Sequence, residues 1–170
     1  TRLAPVTGVQ TCALPICHEA LVVEPGVKTG MPILYDNPRE VGSDRIINAL
    51  AAAQLYDGPS IVVDFGTATT FDVVSAKGEY VGGAIAPGID ISLEALGRRG
   101  AQLRKVELLR PRTVIAKNTV EALQSGVLYG FASQVDGIVT RMLAELRADT
   151  ANVIATGGLA PIVVDECATV

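Results

Sequence analysis

Residues 61–74, IVVDFGTATTFDVV, constrain the fold of this chain more than any other stretch. An apolar run ends in Asp64, a Gly-Thr-Ala-Thr-Thr turn follows, and a second apolar run begins at once. Two short apolar runs joined by a tight polar turn are typical of paired antiparallel strands. The stretch therefore predicts a β-hairpin.

The turn of this hairpin permits two interpretations. Gly66 has no Cβ, so backbone N–H groups there can approach a phosphate, Thr67, Thr69 and Thr70 offer hydroxyls, and Asp64 places a carboxylate suited to a cation at the strand end. The alternative is an ordinary hairpin, whose turn is commonly small and polar. The stretch alone leaves both interpretations open.

The composition narrows the class of protein. The chain has 170 residues, enough for one domain or parts of two, and 49% hydrophobic with 19% charged residues suits a soluble α/β protein. A formal charge of -4 without a clustered basic face argues against nucleic acid as a partner. No apolar run approaches the roughly 18 to 20 residues that span a bilayer, so we expect no membrane partner.

Cysteine and histidine usage points to a cytoplasmic protein without a histidine-based site. The spacing of Cys12, Cys17 and Cys167 matches neither a metal site nor a disulfide framework, which fits a reducing cytosol. His18 is the only histidine, so a Ser-His-Asp triad or a His-metal site has little basis.

The first residues are expected to be foreign to the fold. The first methionine is Met31, and residues 6–16, VTGVQTCALPI, look like the translation of a sequencing-adapter oligonucleotide. We therefore predict that residues 1–17 are a non-native segment without stable packing. A genuine Pro-containing loop or a secretory peptide is the alternative.

A helix is predicted to begin at the sequence GSDR. Residues 20–23 suggest a short strand, and a Gly- and Pro-rich loop then runs to Arg45. Apolar residues keep helical spacing after it, and Ser43 or Asp44 is expected at the N-cap; the apolar positions are Ile47, Leu50, Ala51 and Leu55.

Asp44 and Arg45 each have a structural and a functional explanation. Asp44 is either a helix cap or a carboxylate that accepts a proton from a substrate hydroxyl during phosphoryl transfer. Arg45 either makes a bidentate contact with an anionic group of the substrate or forms a surface ion pair.

A third strand and two helices are predicted to follow the hairpin. Residues 80–86 suggest a strand with a bulge or close backbone approach at Gly82 and Gly83, which makes a three-stranded antiparallel meander. A helix is expected from Ile89 to near Gly97 or Gly100, and a short extended piece and a loop over residues 102–112.

A long helix begins with a capping-box pattern, in which Asn118 is followed by Glu121 at the third helical position. The glycines within it either break the helix or allow close packing of a neighbouring backbone, a subunit interface being one version; they are Gly126, Gly130 and Gly137. Residues 152–155 then form a strand that enters the turn of Gly157 and Gly158, a plausible nucleotide-approach turn.

Taken together these segments resemble the type III pantothenate kinases, members of the superfamily of actin, the sugar kinases and heat-shock chaperones. The resemblance covers approximately residues 20–170. The matching segments, in order, are YDNPREVGSDRIINA from Tyr35, IVVDFGTATTFDVV from Ile61, GGAIAPGI from Gly82, IAKNTVEALQSG from Ile115 and IATGGLA from Ile154.

The resemblance implies ATP-dependent phosphorylation of pantothenate to 4'-phosphopantothenate, the first step of coenzyme A synthesis. It implies ATP with a divalent cation (Mg²⁺), a monovalent cation (K⁺ or NH₄⁺) and a homodimer. By resemblance Asp44 is the proton acceptor and Asp64 the ligand of the monovalent cation. The remaining site residues implied are Tyr35, Gly42, Ser43, Arg45 and Thr119 for pantothenate, and Gly66, Thr67, Gly157 and Gly158 for ATP.

The expected fold is a ribonuclease H-like, actin-like ATPase domain: a mixed sheet containing the antiparallel meander, flanked by helices. Residues 18–43 would be a remnant of the first half-domain and the substrate loop, and residues 44–170 the second half-domain, truncated at its C-terminus. The family's first phosphate motif has no counterpart here, so we expect the chain alone to be inactive. The alternatives are a non-catalytic regulatory accessory factor of the same family and another kinase of the superfamily.

Overall fold

The structure, a computed structural model, describes residues 23, 28–99, 106–148 and 150–170. Three expectations concern residues outside these ranges. They are the non-native segment 1–17, the strand 20–23 except for Val23, and the part of the extended piece at 102–105.

The hairpin and the meander are confirmed. β1 (Ser60–Phe65) pairs antiparallel with β2 (Ala68–Val74), and β2 pairs antiparallel with β3 (Tyr80–Pro87). β4 (Asn152–Thr156) pairs with β1 in parallel, so the sheet has the order β3-β2-β1-β4 and is mixed, as expected. Apolar, β-branched runs bounded by Gly, Pro and Asp explain why these residues become strands.

The predicted irregularity in β3 is also present. The register between β2 and β3 shifts between Val73 and Val74, opposite Gly82, whose φ is 128°. Such a φ is open to glycine and strained for other residues. The next residue, Gly83, lies so close to β2 that a Cβ there would collide with the carbonyl oxygen of Phe71.

Helices cover both faces of the sheet. α1 (Ser43–Leu55) lies on one face, and α2 (Ile89–Arg99), α3 (Thr119–Leu146) and α4 (Ala160–Val163) belong to the other. Short 3-10 helices span Pro38–Glu40 and Val164–Glu166. Alternate residues of β1 divide between the faces, and the main core takes Ile61, Val63 and Phe65 together with the inner side of α3.

The start and the buried face of α1 differ from the prediction. The N-cap is Gly42, not Ser43 or Asp44, and it makes no side-chain capping bond. Of the predicted apolar stripe only Leu50 packs against the core, since Ile47 is 38% and Leu55 74% exposed and Ala51 is exposed as well. The face that packs on the sheet is instead made by Arg45, Ile46, Ala49 and Ala52. The buried bond from Arg45 to Asp72 on β2 fixes this orientation.

The start of α3 follows the predicted cap with one change. The side-chain oxygen of Asn118 accepts from the Glu121 N–H at 2.9 Å, but the Glu121 carboxylate accepts from the Asn118 side-chain amide, also at 2.9 Å. It bonds Arg112 as well. A capping box would use the Asn118 backbone N–H instead.

The glycines of α3 neither break the helix nor receive a neighbouring backbone. The helix runs unbroken for 28 residues, and a Cβ on Gly126 or Gly130 would meet open space. Both glycines line a groove of about 330 Å³ between α2 and α3. Close packing within the described part of the chain is therefore not the reason for them.

None of the helices in the ranges that the structure describes combines the length and apolarity of a membrane span.

Candidate active site

The carboxyl end of β1 carries the first element of the site. Asp64 is half-buried on β1 and faces the side of the sheet that α1 covers. Its Oδ2 accepts a hydrogen bond of 2.9 Å from Asn48 Nδ2 on α1. This bond ties the helix that begins with GSDR to the strand that leads into the Thr-rich turn.

The turn after β4 meets the same strand end. Because β4 is parallel to β1, with Thr156 opposite Asp64, both strands deliver their turns to one edge of the sheet. Gly157 has φ 98°, and a Cβ on it would lie 2.5 Å from Phe65 O and 2.7 Å from Asp64 Oδ1. Only glycine fits there. Gly158 is exposed with open space around it.

The turn of Gly66 and Thr67 is exposed at this edge and supported from below. A Cβ on Gly88 would collide with Thr67 O and lie 2.7 Å from Gly66 O, so the start of α2 packs directly under the turn. The Gly66 N–H donates to Ala68 O at 3.1 Å and is used within the turn itself. The surface open to a ligand here is therefore the exposed outer side of the turn.

Asp44 lies exposed in the first turn of α1. Its Oδ1 accepts from the Arg45 N–H at 2.9 Å, and a Cβ on Gly42 would be only 2.6 Å from that oxygen. Asp44 and Asn48 are four residues apart and share a helix face. The exposed carboxylate thus stands one helical turn from the residue that holds Asp64.

Arg45 is buried and makes an ion pair inside the protein, so the surface-pair interpretation is wrong. Its Nε donates to Asp72 Oδ1 on β2 at 2.7 Å, and both side chains are buried. The same oxygen accepts from the Tyr80 hydroxyl at 2.9 Å, and Asp72 Oδ2 accepts from Thr70 Oγ1 at 3.1 Å. Arg45 Nη2 is buried and has no hydrogen-bond partner.

The pKa values of this network follow from burial and pairing. Burial raises the pKa of Asp72, and the nearby Arg45 charge offsets part of that rise. Burial works to lower the pKa of Arg45, but the charges of Asp72 and Tyr80 together with the hydrogen bonds outweigh it, so the net shift is upward. Burial, followed by the Asp72 charge, also raises the pKa of Tyr80. The charges of Arg45 and Asp72 thus each favour the charged form of the other group, against the effect of burial.

Tyr35 joins this network, whereas Thr119 stands apart. The Tyr35 ring lies 6.3 Å from the Tyr80 ring, and its edge passes 3.9 Å from where a Gly82 Cβ would be. The nearby Tyr35 hydroxyl also helps to raise the pKa of Arg45. Thr119 is exposed at the start of α3, and none of the hydrogen bonds of the described residues joins it to the other candidate residues.

The oxygen atoms near Asp64 suit a cation that takes only some of its ligands from the protein. Within the described ranges no three His, Cys, Asp or Glu side chains gather into a metal-binding group. Asp64 Oδ1 and Phe65 O both border the space where Gly157 lacks a Cβ, which offers oxygen ligands of the type that hard cations prefer.

Two residues that hold the site together were missed by the reasoning from sequence. Asp72 sits in the apolar run FDVV, and a charged residue in the middle of a buried strand is a signal that could have marked it. Asn48 lies four residues after Asp44, so a helical-face projection could have found it.

Fold and site together define an α/β protein whose acidic and glycine-rich turns meet at one edge of a mixed sheet. The family model for type III pantothenate kinase matches residues 7–141, and the chain belongs to that family. The resemblance stated from the sequence is confirmed.

Proteins of similar sequence carry the same family name. A type III pantothenate kinase from Thermobifida fusca is 74% identical over 153 residues, which cover 89% of this chain and 59% of that relative. One from Streptomyces avermitilis is 71% identical over 153 residues, covering 89% and 58%. The chain thus spans less than two thirds of the length of these relatives.

The fold is also shared with a solved structure from Campylobacter jejuni, described as a conserved Baf family transcriptional activator. The TM-score is 0.54 at 24% identity, covering 82% of this chain and 59% of that one. At this identity the likeness concerns the fold alone. Neither the family model nor the relatives support the regulatory alternative or another superfamily kinase.

Proposed function

We propose that this chain is part of a type III pantothenate kinase, which transfers the γ-phosphoryl group of ATP to the hydroxyl of pantothenate. The product is 4'-phosphopantothenate, in the first step of coenzyme A synthesis. The family membership supports this activity. The observation that carries the site is the Asn48–Asp64 bond, because it brings the helix of Asp44 against the strand end beside the Gly157 turn.

The proposed roles follow from position. Asp44 is exposed and accepts the proton of the attacking hydroxyl, which is why its free access matters. The exposed turns at the sheet edge take the ATP, through Gly66, Thr67, Gly157 and Gly158. The pantothenate contacts are Tyr35, Gly42, Ser43 and Arg45; Thr119 is assigned by family membership alone, since it stands apart from the others.

Cations complete the charge balance. We assign the monovalent cation, K⁺ or NH₄⁺, to Asp64, whose Oδ1 is left available when Oδ2 bonds Asn48. Mg²⁺ usually binds through one or two carboxylates together with the nucleotide phosphates, which agrees with the sparse acidic set of the described residues. When bound, these cations neutralise charge on the transferring phosphoryl group.

The superfamily fold, the oligomeric state and the cellular location are also proposed from the family membership. The meander with a parallel fourth strand suits the second half of an actin-like, ribonuclease H-like domain. The open groove between α2 and α3, with Leu96 46% exposed beside it, supports a homodimer contact on that side. The ATP requirement and the free thiol of Cys167 support a cytoplasmic location.

The test uses a complete enzyme. In the "grafted kinase", the segment of this chain that matches the Thermobifida fusca relative replaces the corresponding segment there. We expect ATP- and pantothenate-dependent formation of phosphopantothenate, measured by mass spectrometry. No product from a folded grafted kinase that still binds ATP would contradict the proposal. The 170-residue chain, assayed in parallel, is expected to be inactive.

A further inference from the structure

The buried carboxylate of Asp72 is not among the residues proposed to contact ATP, pantothenate or a cation. It lies on β2 with no exposed surface, 27 residues along the chain from Arg45. A buried carboxylate is costly unless it is paired and hydrogen-bonded, and here three donors satisfy it: Arg45 Nε, the Tyr80 hydroxyl and Thr70 Oγ1.

The geometry of the pair decides which part of Arg45 is free. A guanidinium is planar with donors in a fixed fork, so a bond of 2.7 Å at Nε sets the plane and leaves the terminal nitrogens for other partners. Tyr80 lies below the guanidinium, with the Arg45 Cζ 5.9 Å from its ring centroid. The side chain is thereby held on two sides.

The terminal nitrogen Nη2 lacks a partner although Arg45 is only 6% exposed. Buried donors are nearly always satisfied, so an unpaired one calls for an acceptor. Gly83 is exposed and lies next to it, since a Cβ there would be 2.9 Å from Nη2. Because Phe71 O fills the position that a Cβ would take, only a glycine lets β3 lie this close to the guanidinium, and Nη2 stays near the exposed backbone of Gly83.

We propose that Asp72, supported by Tyr80 and Thr70, is a positioning residue that fixes Arg45 so that its Nη2 meets the carboxylate of the substrate. The inference rests on the proposed function. Asp72 itself does not touch pantothenate; it acts by setting the orientation of the Arg45 guanidinium. Its effect is therefore on recognition of the substrate's negative charge and not on ATP.

The test compares pantothenate with pantothenol, in which CH₂OH replaces the carboxylate, in the grafted kinase. Asp72→Asn keeps the shape of the side chain but replaces the charge-assisted bond to Arg45 with a weaker neutral one, so the guanidinium is no longer held in one direction. We expect the KM for pantothenate to rise about tenfold and the KM for ATP to stay within about twofold. The dissociation constant of pantothenol should change by less than about twofold. The variant should therefore lose most of its preference for pantothenate over pantothenol.

Tyr80→Phe is the matched control. It removes one hydrogen bond from the same carboxylate and lowers the Tm, but it leaves the Arg45–Asp72 pair in place. The preference for pantothenate over pantothenol should therefore fall by only about two- to threefold in this variant, far less than in Asp72→Asn. If Asp72→Asn fails to fold, Thr70→Val takes its place, with an expected two- to threefold loss of preference.

The outcomes separate the two proposals. If the unsubstituted grafted kinase forms no phosphopantothenate, the proposed function fails. If it is active but the variant at Asp72, or at Thr70 in its place, weakens pantothenate and pantothenol equally, Asp72 is a purely structural residue and the inference is overturned.

Discussion

At the scale of single residues, the site depends on side chains that hold other side chains. Asn48 and Arg45 lie three positions apart on α1 and each bonds one carboxylate of the sheet, Asp64 and Asp72 respectively. The two bonds fix both the position and the rotation of α1. They explain why the helix turns a polar residue inward while Ile47 and Leu55 remain exposed.

Asn48→Ala tests the first of these bonds. Loss of a hydrogen bond to a carboxylate frees Asp64 to rotate, so the K⁺ concentration for half-maximal activation of the grafted kinase should rise about three- to tenfold. The KM for pantothenate should change little. Gln54→Ala, at an exposed position of the same helix, is the control. Unchanged K⁺ activation in a folded Asn48→Ala variant would remove Asp64 from the cation site.

Gly157→Ala tests the contact between the two turns. The φ of 98° and the short approach to Phe65 O and Asp64 Oδ1 make any side chain costly, by about 1–3 kcal/mol. We expect the Tm of the 170-residue chain to fall by roughly 3–10 °C. Gly158→Ala is the matched control, because its Cβ would meet open space. Equal Tm values for the two variants would show that the turns do not meet as described.

At the scale of elements, local patterns predicted most of the fold. The hairpin of β1 and β2, the bulged β3 and the cap at Asn118 all follow from residues within a few positions of one another. The inward face of α1 could not be predicted in this way. It depends on a partner of Arg45 that lies 27 residues further on, and propensities carry no information about such a pair.

The glycines of α3 also show that a local sequence pattern does not identify a distant packing partner. Their spacing suggested close packing, and the helix does carry an open groove there, but nothing in the described chain fills it. The partner of that face is not encoded in the local pattern. The candidate site was predicted in part: its acidic and glycine residues came from the motifs, and its supporting residues Asn48 and Asp72 did not.

Asp136 provides a pH-dependent link between α3 and the C-terminal segment. It accepts from the N–H groups of Ala168 and Thr169 and from the Thr169 hydroxyl. Burial alone would raise its pKa, but these bonds outweigh burial and lower it. The stabilisation is therefore present above the ordinary carboxyl pKa and is lost as the pH falls through the lowered value.

Asp136→Asn should accordingly lower the Tm of the 170-residue chain by about 2 °C at neutral pH. The difference from the unsubstituted chain should shrink as the pH falls below the ordinary carboxyl range, because Asp136 is then protonated too. Thermal unfolding followed by circular dichroism across pH 2–7 measures this. A Tm difference that does not depend on pH would show that the C-terminal segment is not held by the Asp136 charge.

At the scale of the whole molecule, the candidate residues of three segments come together at one end of the sheet. The turn of Gly66 and Thr67, first ambiguous between a hairpin turn and a phosphate-binding loop, lies beside Gly157 and near the helix of Asp44. Relatives of this family are longer than the segment matched here. The activity tests therefore use the grafted kinase, in which the matched segment is combined with the rest of a relative.

The central claim is that Asp44 accepts the proton of the pantothenate hydroxyl, and the turnover of Asp44→Asn in the grafted kinase tests it most directly. We expect kcat to fall about 10²- to 10⁴-fold, with the dissociation constant of ATP within about twofold of the unsubstituted enzyme. Asp57→Asn, at an exposed position just after α1, should leave both values unchanged. Undiminished kcat in a folded Asp44→Asn enzyme would contradict the account.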